Sequence, residues 1–169
     1  MSVTYLNPQD AFSSDRDSYT PGLPRVESLP ELASHLSRRL ARCRRAGEQL
    51  AMLWIELEPL PSPAAEVGDV TEELMRMASL RVRNRVRSTD EVIQVGEQGF
   101  AVLLPGAGNM AAEIVALRLR QTLAGTYELE GQLTYLAVAA GQAVFPEGGS
   151  TGTELTQTAQ RNLAMQQGA

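Results

Sequence analysis

The stretch VRSTDEVIQVGEQGFAVLLP, residues 86–105, decides the fold of this chain. Two short apolar runs, EVIQV and FAVLLP, flank the polar tip Gly96–Gly99, and this pattern predicts a β-hairpin. The residues before the hairpin read as the end of a basic helix and a charged turn that holds Arg87 and Asp90, three positions apart. The tip carries no obvious catalytic group. This arginine and aspartate are therefore the first candidates for a functional site.

Upstream of the hairpin, the sequence predicts two helices and a strand between them. Leucines at helical spacing, a proline just inside the start and a glycine at the end predict a helix over residues 28–47. The run LAMLWIEL is almost continuously apolar, which is typical of a strand buried on both faces. A loop with three prolines follows it, and a second helix is predicted from about residue 70 to 87.

Downstream of the hairpin, predicted helices again alternate with predicted strands. NMAAEIVALRLRQTLAG predicts a helix over 109–125, with apolar positions at Ile114, Leu117 and Leu119. Two strands are predicted around the turn at 130–131, and a weaker helix ends the chain. This order of elements predicts an α/β sandwich, with one mixed five-stranded sheet flanked by helices.

Composition excludes several classes of protein. A chain of 169 residues suits one domain, and a formal net charge of −5 argues against a general nucleic-acid binder or an anionic-membrane binder. Cys43 is the only cysteine, which excludes an intrachain disulfide, and no Cys/His spacing predicts a zinc site. We therefore expect no cofactor, no metal and no nucleic-acid partner.

The N-terminal residues differ in composition from the rest. Residues 1–25 are rich in Ser, Asp, Pro and Tyr without an apolar period, which predicts a flexible arm ahead of a single domain over 26–169. No segment has the roughly 20 apolar residues that span a bilayer, and the start lacks the features of a signal peptide. We expect no membrane insertion and a cytoplasmic location.

Four motifs, taken in order, give the chain a resemblance to the GGDEF domain family, the diguanylate cyclases and their inactive relatives. DSYTPGLPR resembles the family's DxLTGLPNR, and LAMLWIELEPL is similar to its LLLLDLDxFK strand. GEQGFAVLLP stands where GGDEFAVLLP would, and AVAAGQAVFPEGG resembles TxSIGIAxxPxDG. The resemblance covers about residues 17–167 and implies a GGDEF-like fold whose hairpin carries a degenerate signature.

Several departures from the family pattern imply that the chain is not an enzyme. In the family, the third and fourth signature positions are an acid that helps to bind two Mg²⁺ ions and a catalytic glutamate; here they are Gln98 and Gly99. Glu56 keeps a carboxylate at the family's first metal position, but one acid is a poor site for a hard cation. The substrate loop reads PLPSPAAE, and Gln167 matches the triphosphate-binding lysine. The resemblance thus implies a catalytically inactive domain.

The family's second nucleotide site, which binds cyclic di-GMP through an RxxD motif, is matched more fully. Arg87 to Asp90 fits the motif, with Asp90 six residues before Gly96, and counting from the signature places the site's further arginine at Arg118. A guanidinium fork suits phosphate or the O6 and N7 atoms of guanine. An ionised aspartate accepts hydrogen bonds from guanine N1–H and N2–H₂. The resemblance implies a cyclic di-GMP receptor built on these three residues, which signals to a protein partner or through a homodimer.

A plainer interpretation of the same residues also stands. Arginines at 81, 83, 85 and 87 would form one solvated face, and Asp90 would be an ordinary turn residue at an exposed site. The protein would then be an interaction scaffold with a vestigial nucleotide site. His35 and Trp54 are interpreted as a surface helix residue and a core strand residue.

Overall fold

The computed structural model describes residues 23–60, 72–97, 99–129 and 131–167, without the side chains of Gln132 and Gln167. Most of the predicted arm, most of the PLPSPAAE loop and Gln98 lie outside the described residues, as does the side chain of Gln167. No helix in the described part of the chain is long and apolar enough to cross a membrane.

The chain forms one mixed sheet with helices on both faces. The strands lie in the order β1-β3-β4-β2-β6-β5; β1 pairs with β3 in parallel, and every other pair is antiparallel. The elements are β1 Arg25–Val26, α1 Leu29–Ala46, β2 Leu50–Leu60, α2 Glu72–Arg83, β3 Glu91–Val95, β4 Gly99–Pro105, α3 Asn109–Leu123, β5 Gly125–Leu129, β6 Gln132–Phe145 and α4 Gly152–Gln167. The predicted α/β sandwich is confirmed.

Strand β2 lies in the middle of the sheet, and its alternate side chains enter two separate cores. Leu53 and Ile55 belong to the core under α2 and α3, while Met52 and Trp54 belong to the core under α1 and α4. Because both faces of β2 are covered, a strand with this position needs apolar residues at successive positions. The run LAMLWIEL supplies them. Trp54 is buried, as predicted.

The sheet has six strands, and we expected five. The additional strand is β1, two residues long, whose neighbour Pro24 accepts a hydrogen bond from Gln94 at 2.9 Å. Two residues are too few to show an alternating pattern, so the sequence carries no strand signal there. Arg25, which we assigned to the arm, lies in this strand.

Helix α2 ends earlier than predicted. Its last helical residue is Arg83, so the prediction that it reaches Arg87 is wrong. The amide of Arg85 bonds to the Val82 carbonyl, which is one residue closer than an α-helical partner, and the chain then turns away. Arg87 therefore lies in the turn between α2 and β3, and not on the helix.

Candidate functional site

The turn Arg87–Asp90 closes on itself. The Asp90 amide donates to the Arg87 carbonyl at 3.0 Å, and the Arg87 amide donates to Asp90 Oδ2 at 2.8 Å. The Arg87 guanidinium adds two bonds to Asp90 Oδ1, from Nε at 3.2 Å and from Nη2 at 2.9 Å. This pairing with Asp90 raises the pKa of the Arg87 guanidinium above its ordinary value. One carboxylate thus fixes both the backbone and the side chain of the arginine.

Asp90 is buried, so our expectation of an exposed turn residue is wrong. Its side chain is 3% exposed, whereas that of Arg87 is 62% exposed. The guanidinium of Arg87 also reaches the Pro105 carbonyl, at 3.2 Å, and this bond ties the turn to the end of β4. Buried carboxylates are retained when they are hydrogen-bonded, and Arg87 supplies those bonds.

The three residues predicted for the RxxD site line one open groove of about 340 Å³. Arg87 and Asp90 belong to the turn before β3, and Arg118 belongs to α3. Apolar residues make up much of the remaining lining, among them Val86, Leu104, Ala107, Ile114 and Val115. The structure therefore brings Arg118 to the same groove as Arg87 and Asp90, although Arg118 follows Asp90 by 28 positions in the sequence.

A fourth charged residue lines the same groove, and sequence reasoning missed its place there. Arg85 was interpreted as one more solvated charge on a basic helix, but it lies past the end of α2 and borders the groove. Within the described part of the chain, the side chains of Arg85 and Arg118 make no hydrogen bond or ion pair. Only a sequence signal that α2 ends at Arg83 could have shown that Arg85 lies off the helix, unlike the arginines before it.

The arrangement suits a ligand that combines phosphate with flat rings. Exposed guanidinium groups from the turn and from α3 can hold phosphate oxygens, and apolar side chains of the same groove can pack against bases. The Asp90 carboxylate is already occupied by Arg87. A guanine edge could use it only if Arg87 moved away.

Comparisons with known proteins identify the family of the chain. The sequence profile described as "Diguanylate cyclase, GGDEF domain" matches residues 26–168. The chain belongs to the GGDEF family. Cyclic di-GMP phosphodiesterase NbdA of Pseudomonas aeruginosa is 27% identical to this GGDEF domain over 131 residues. That match covers 77% of the chain but 16% of NbdA, so the chain spans a small part of that relative's length.

Solved structures of GGDEF domains have the same fold. A sensory box/GGDEF family protein from Caulobacter crescentus superposes with a TM-score of 0.71 at 22% identity, over 88% of this chain and 96% of that one. The GGDEF domain of DgcB from Caulobacter crescentus, in complex with c-di-GMP, gives 0.69 at 13% identity, over 86% and 84% of the two chains. At these identities the likeness shows the fold alone.

The position of the family's metal site, at Glu56 in β2, offers few ligands for a pair of Mg²⁺ ions, since Glu58 is the other acid among the described residues that line the pocket there. Glu56 Oε2 accepts a hydrogen bond from Trp54 Nε1 at 2.8 Å, so part of its carboxylate is engaged. Its neighbours on the adjacent strands are Gly99 and Ala139, which offer no side-chain oxygen. Within residues 23–60, 72–97, 99–129 and 131–167, no three His, Cys, Asp or Glu residues form a group that could hold a metal ion.

His35, which we expected to be a surface helix residue, is only partly exposed. Its Nε2 lies 2.6 Å from Glu91 Oε2, and Arg39 Nε donates to Glu91 Oε1 at 2.9 Å. Glu91 directly follows Asp90, and its side chain is 21% exposed. These two contacts fasten α1 to the first residue of β3, next to the closed turn.

Proposed function

We propose that this GGDEF domain is a non-catalytic receptor that binds cyclic di-GMP in the groove and passes the signal to a protein partner. One observation carries the proposal: Arg87 and Arg118, from separate elements, face the same open groove, and Asp90 holds the first of them in place. The complex of the DgcB GGDEF domain with c-di-GMP supports the choice of ligand by relationship of fold.

Two arginines suffice for a useful affinity. A hydrogen bond to a charged group contributes about 1.5–3 kcal/mol, and a micromolar site requires about 8 kcal/mol. Two guanidinium groups that each make paired bonds to phosphate or guanine, with bases packed on the apolar lining, reach that range. Arg85 borders the same groove and adds positive charge without being part of the motif.

The alternative is an interaction scaffold in which the nucleotide site is vestigial. One observation favours it: Arg87 and Asp90 satisfy each other's hydrogen bonds within the turn. A turn of this kind would persist for the stability of the fold alone. Binding measurements on the groove variants separate the two functions.

Exchanging the groove arginine Arg118 for alanine should weaken cyclic di-GMP binding by about ten- to a hundredfold. The reason is the loss of a guanidinium that makes no hydrogen bond or ion pair with the described residues, so stability should change little. Isothermal titration calorimetry on the folded variant measures the change. Arg83→Ala is the matched control, because Arg83 is exposed at the end of α2 and does not line the groove. Equal losses from both variants would mean that only diffuse positive charge holds the ligand.

Incubation with GTP and Mg²⁺ should yield no cyclic di-GMP. The expected reason is that the catalytic glutamate position holds Gly99 and that the metal-binding acid of the signature is replaced by Gln98. Gly99→Glu should not restore activity, since a Cβ at this position would lie 3.0 Å from the Ile55 carbonyl oxygen and the metal position would still lack a ligand. Chromatographic assay of the reaction, beside an active diguanylate cyclase, tests this. Product that co-purifies with the protein would contradict it.

A further inference from the structure

Helix α1 carries a row of unpaired positive charges on its outer side. Arg38, Arg42 and Arg45 follow one another by four and three positions, so they share one side of the helix. We call these three residues the basic row. All three are exposed, and none makes a hydrogen bond or an ion pair with another described residue. The opposite side of α1 is buried and apolar, with Leu32, Leu36, Leu40 and Cys43.

The other two arginines in this half of α1 are already engaged. Arg39 Nε donates to Glu91 Oε1 at 2.9 Å, and Arg44 donates to the Ser150 carbonyl. The basic row therefore presents three uncompensated charges on a chain whose formal net charge is −5. Like charges four positions apart on a helix repel each other and destabilise it, so an anionic segment on the row would stabilise α1.

A groove of about 380 Å³ joins the basic row to the first described residues. Pro24, the second described residue, lines this groove together with Arg42 of the row. Two of the three acids that line it, Asp90 and Glu91, are paired with arginines of the domain. Glu48 is the third, at an exposed position. The N-terminal segment of the chain is therefore tethered next to the basic row.

Residues 10–17, DAFSSDRD, carry charge of the opposite sign, since they hold three aspartates and one arginine. Asp17 precedes Pro24 by seven positions. Seven extended residues span up to about 25 Å, whereas the basic row is about 10 Å long at a rise of about 1.5 Å per residue. A short tether gives an effective concentration on the order of millimolar, so several weak, exposed ion pairs together can hold the stretch on the row.

We propose that the acidic stretch 10–17 docks on the basic row of α1 within the same chain. Its three aspartates, Asp10, Asp15 and Asp17, pair with the guanidinium groups of the row. The contact covers the row and brings the stretch next to Ser88 and Thr89 of the turn before β3, which line the same groove. Docking does not require cyclic di-GMP, so it stands or falls separately from the proposed function.

Paramagnetic relaxation enhancement on the full chain, without nucleotide, tests the contact. A nitroxide is attached at Ser14→Cys, in the middle of the stretch; Cys43 is buried, and mass spectrometry of the unmutated protein checks that it takes no label. At low salt, the amide signals of the basic row should broaden more than those of α3, which packs on the other face of the sheet. Salt at 1 M, where the Debye length is about 3 Å, should remove the difference. Equal broadening of the two helices at low salt, or broadening that persists at 1 M salt, would overturn the proposal.

Charge variants of the labelled protein separate docking from the effect of the tether alone. Glutamine at all three positions of the basic row should abolish the extra broadening of α1. Asparagine at the three aspartates should have the same effect, and this second variant changes no described residue. Arg83→Gln combined with Arg161→Gln is the matched control, because both arginines are exposed and lie outside the row. A row variant that broadens like the control would overturn the proposal. Circular dichroism checks that each variant is folded.

A mixing experiment distinguishes docking within one chain from docking between chains. Isotope-labelled protein without a nitroxide is mixed with nitroxide-labelled protein that carries no isotope. The basic row of the isotope-labelled chains should show no broadening, because each row is covered by its own N-terminal stretch. Broadening of these signals as strong as in the singly labelled chain would mean that the stretch docks on a second copy, and would overturn the proposal.

Discussion

Replacing Asp90 with alanine should destabilise the domain and also reduce its affinity for cyclic di-GMP. The substitution removes the acceptor of the Arg87 amide and of its guanidinium. Loss of a buried hydrogen-bond acceptor costs about 1–3 kcal/mol. The ion pair itself adds little to this, because Arg87 is largely exposed and solvent screens it. Urea denaturation measures the first effect, and calorimetric titration of the folded fraction measures the second.

The loss of affinity should be about ten- to a hundredfold, because Asp90 no longer holds the guanidinium of Arg87 at the groove. Asp90→Asn is the matched control. Its amide oxygen can still accept from the Arg87 amide, so we expect stability within about 1 kcal/mol of the wild type. Its neutral side chain holds the guanidinium less firmly, so affinity should still fall. An Asp90→Ala variant as stable as the wild type would show that the closed turn contributes nothing to the fold.

Gly141→Ala should have the largest effect on stability. Gly141 lies in β6 opposite Trp54, and α4 approaches it so closely that an added Cβ would lie 2.2 Å from the Ala159 carbonyl oxygen and 2.3 Å from the Leu163 nitrogen. Both are backbone atoms, so α4 as a whole would have to move off the sheet. We expect a loss of about 3 kcal/mol or more in the free energy of unfolding. Chemical denaturation measures it.

Gly47→Ala is the control for this prediction. Gly47 ends α1 with a φ of 69°, and an added Cβ would meet nothing within 4 Å. The substitution should therefore lower the free energy of unfolding by about 1 kcal/mol, which is the strain of an alanine in the left-handed backbone conformation. If the two alanine variants were equally stable, close packing of α4 on β6 would not be what requires glycine at position 141.

The elements that the sequence predicted best are those with a local signal. Ser28 caps α1 by accepting from the Glu31 amide at 3.3 Å, and Gly47 ends it, so both boundaries follow from capping chemistry. The hairpin of β3 and β4 follows from alternation and a polar tip. These patterns depend on neighbours in the chain, and no knowledge of tertiary contacts is needed to detect them.

The sequence did not predict the end of α2, the burial of Asp90 or the place of Arg85 in the groove. These features depend on tertiary contacts and on the conformation of the turn after α2. The basic run gave no sign that α2 stops at Arg83, because the next residues are equally compatible with a helix. The burial of Asp90 follows from the bonds that Arg87 and its turn supply. The place of Arg85 in the groove follows from that same turn.

The candidate site was predicted from the sequence only in part. Arg118 was selected by its distance from the hairpin signature in a family pattern, and in the structure it lines the same groove as Arg87. Spacing along the chain could not show that the Asp90 carboxylate is occupied. That finding shifts the expected role of Asp90 from contact with guanine towards holding Arg87 in position.

Calorimetric titration of the wild-type protein with cyclic di-GMP, beside titrations with cyclic di-AMP and GTP, tests the account most directly. The account predicts saturable binding of cyclic di-GMP with a dissociation constant on the order of micromolar. Cyclic di-AMP should bind more weakly, because adenine lacks O6 as a second acceptor for a guanidinium beside N7. GTP should bind far more weakly or not at all. Absence of cyclic di-GMP binding, or GTP binding of comparable strength, would contradict the account.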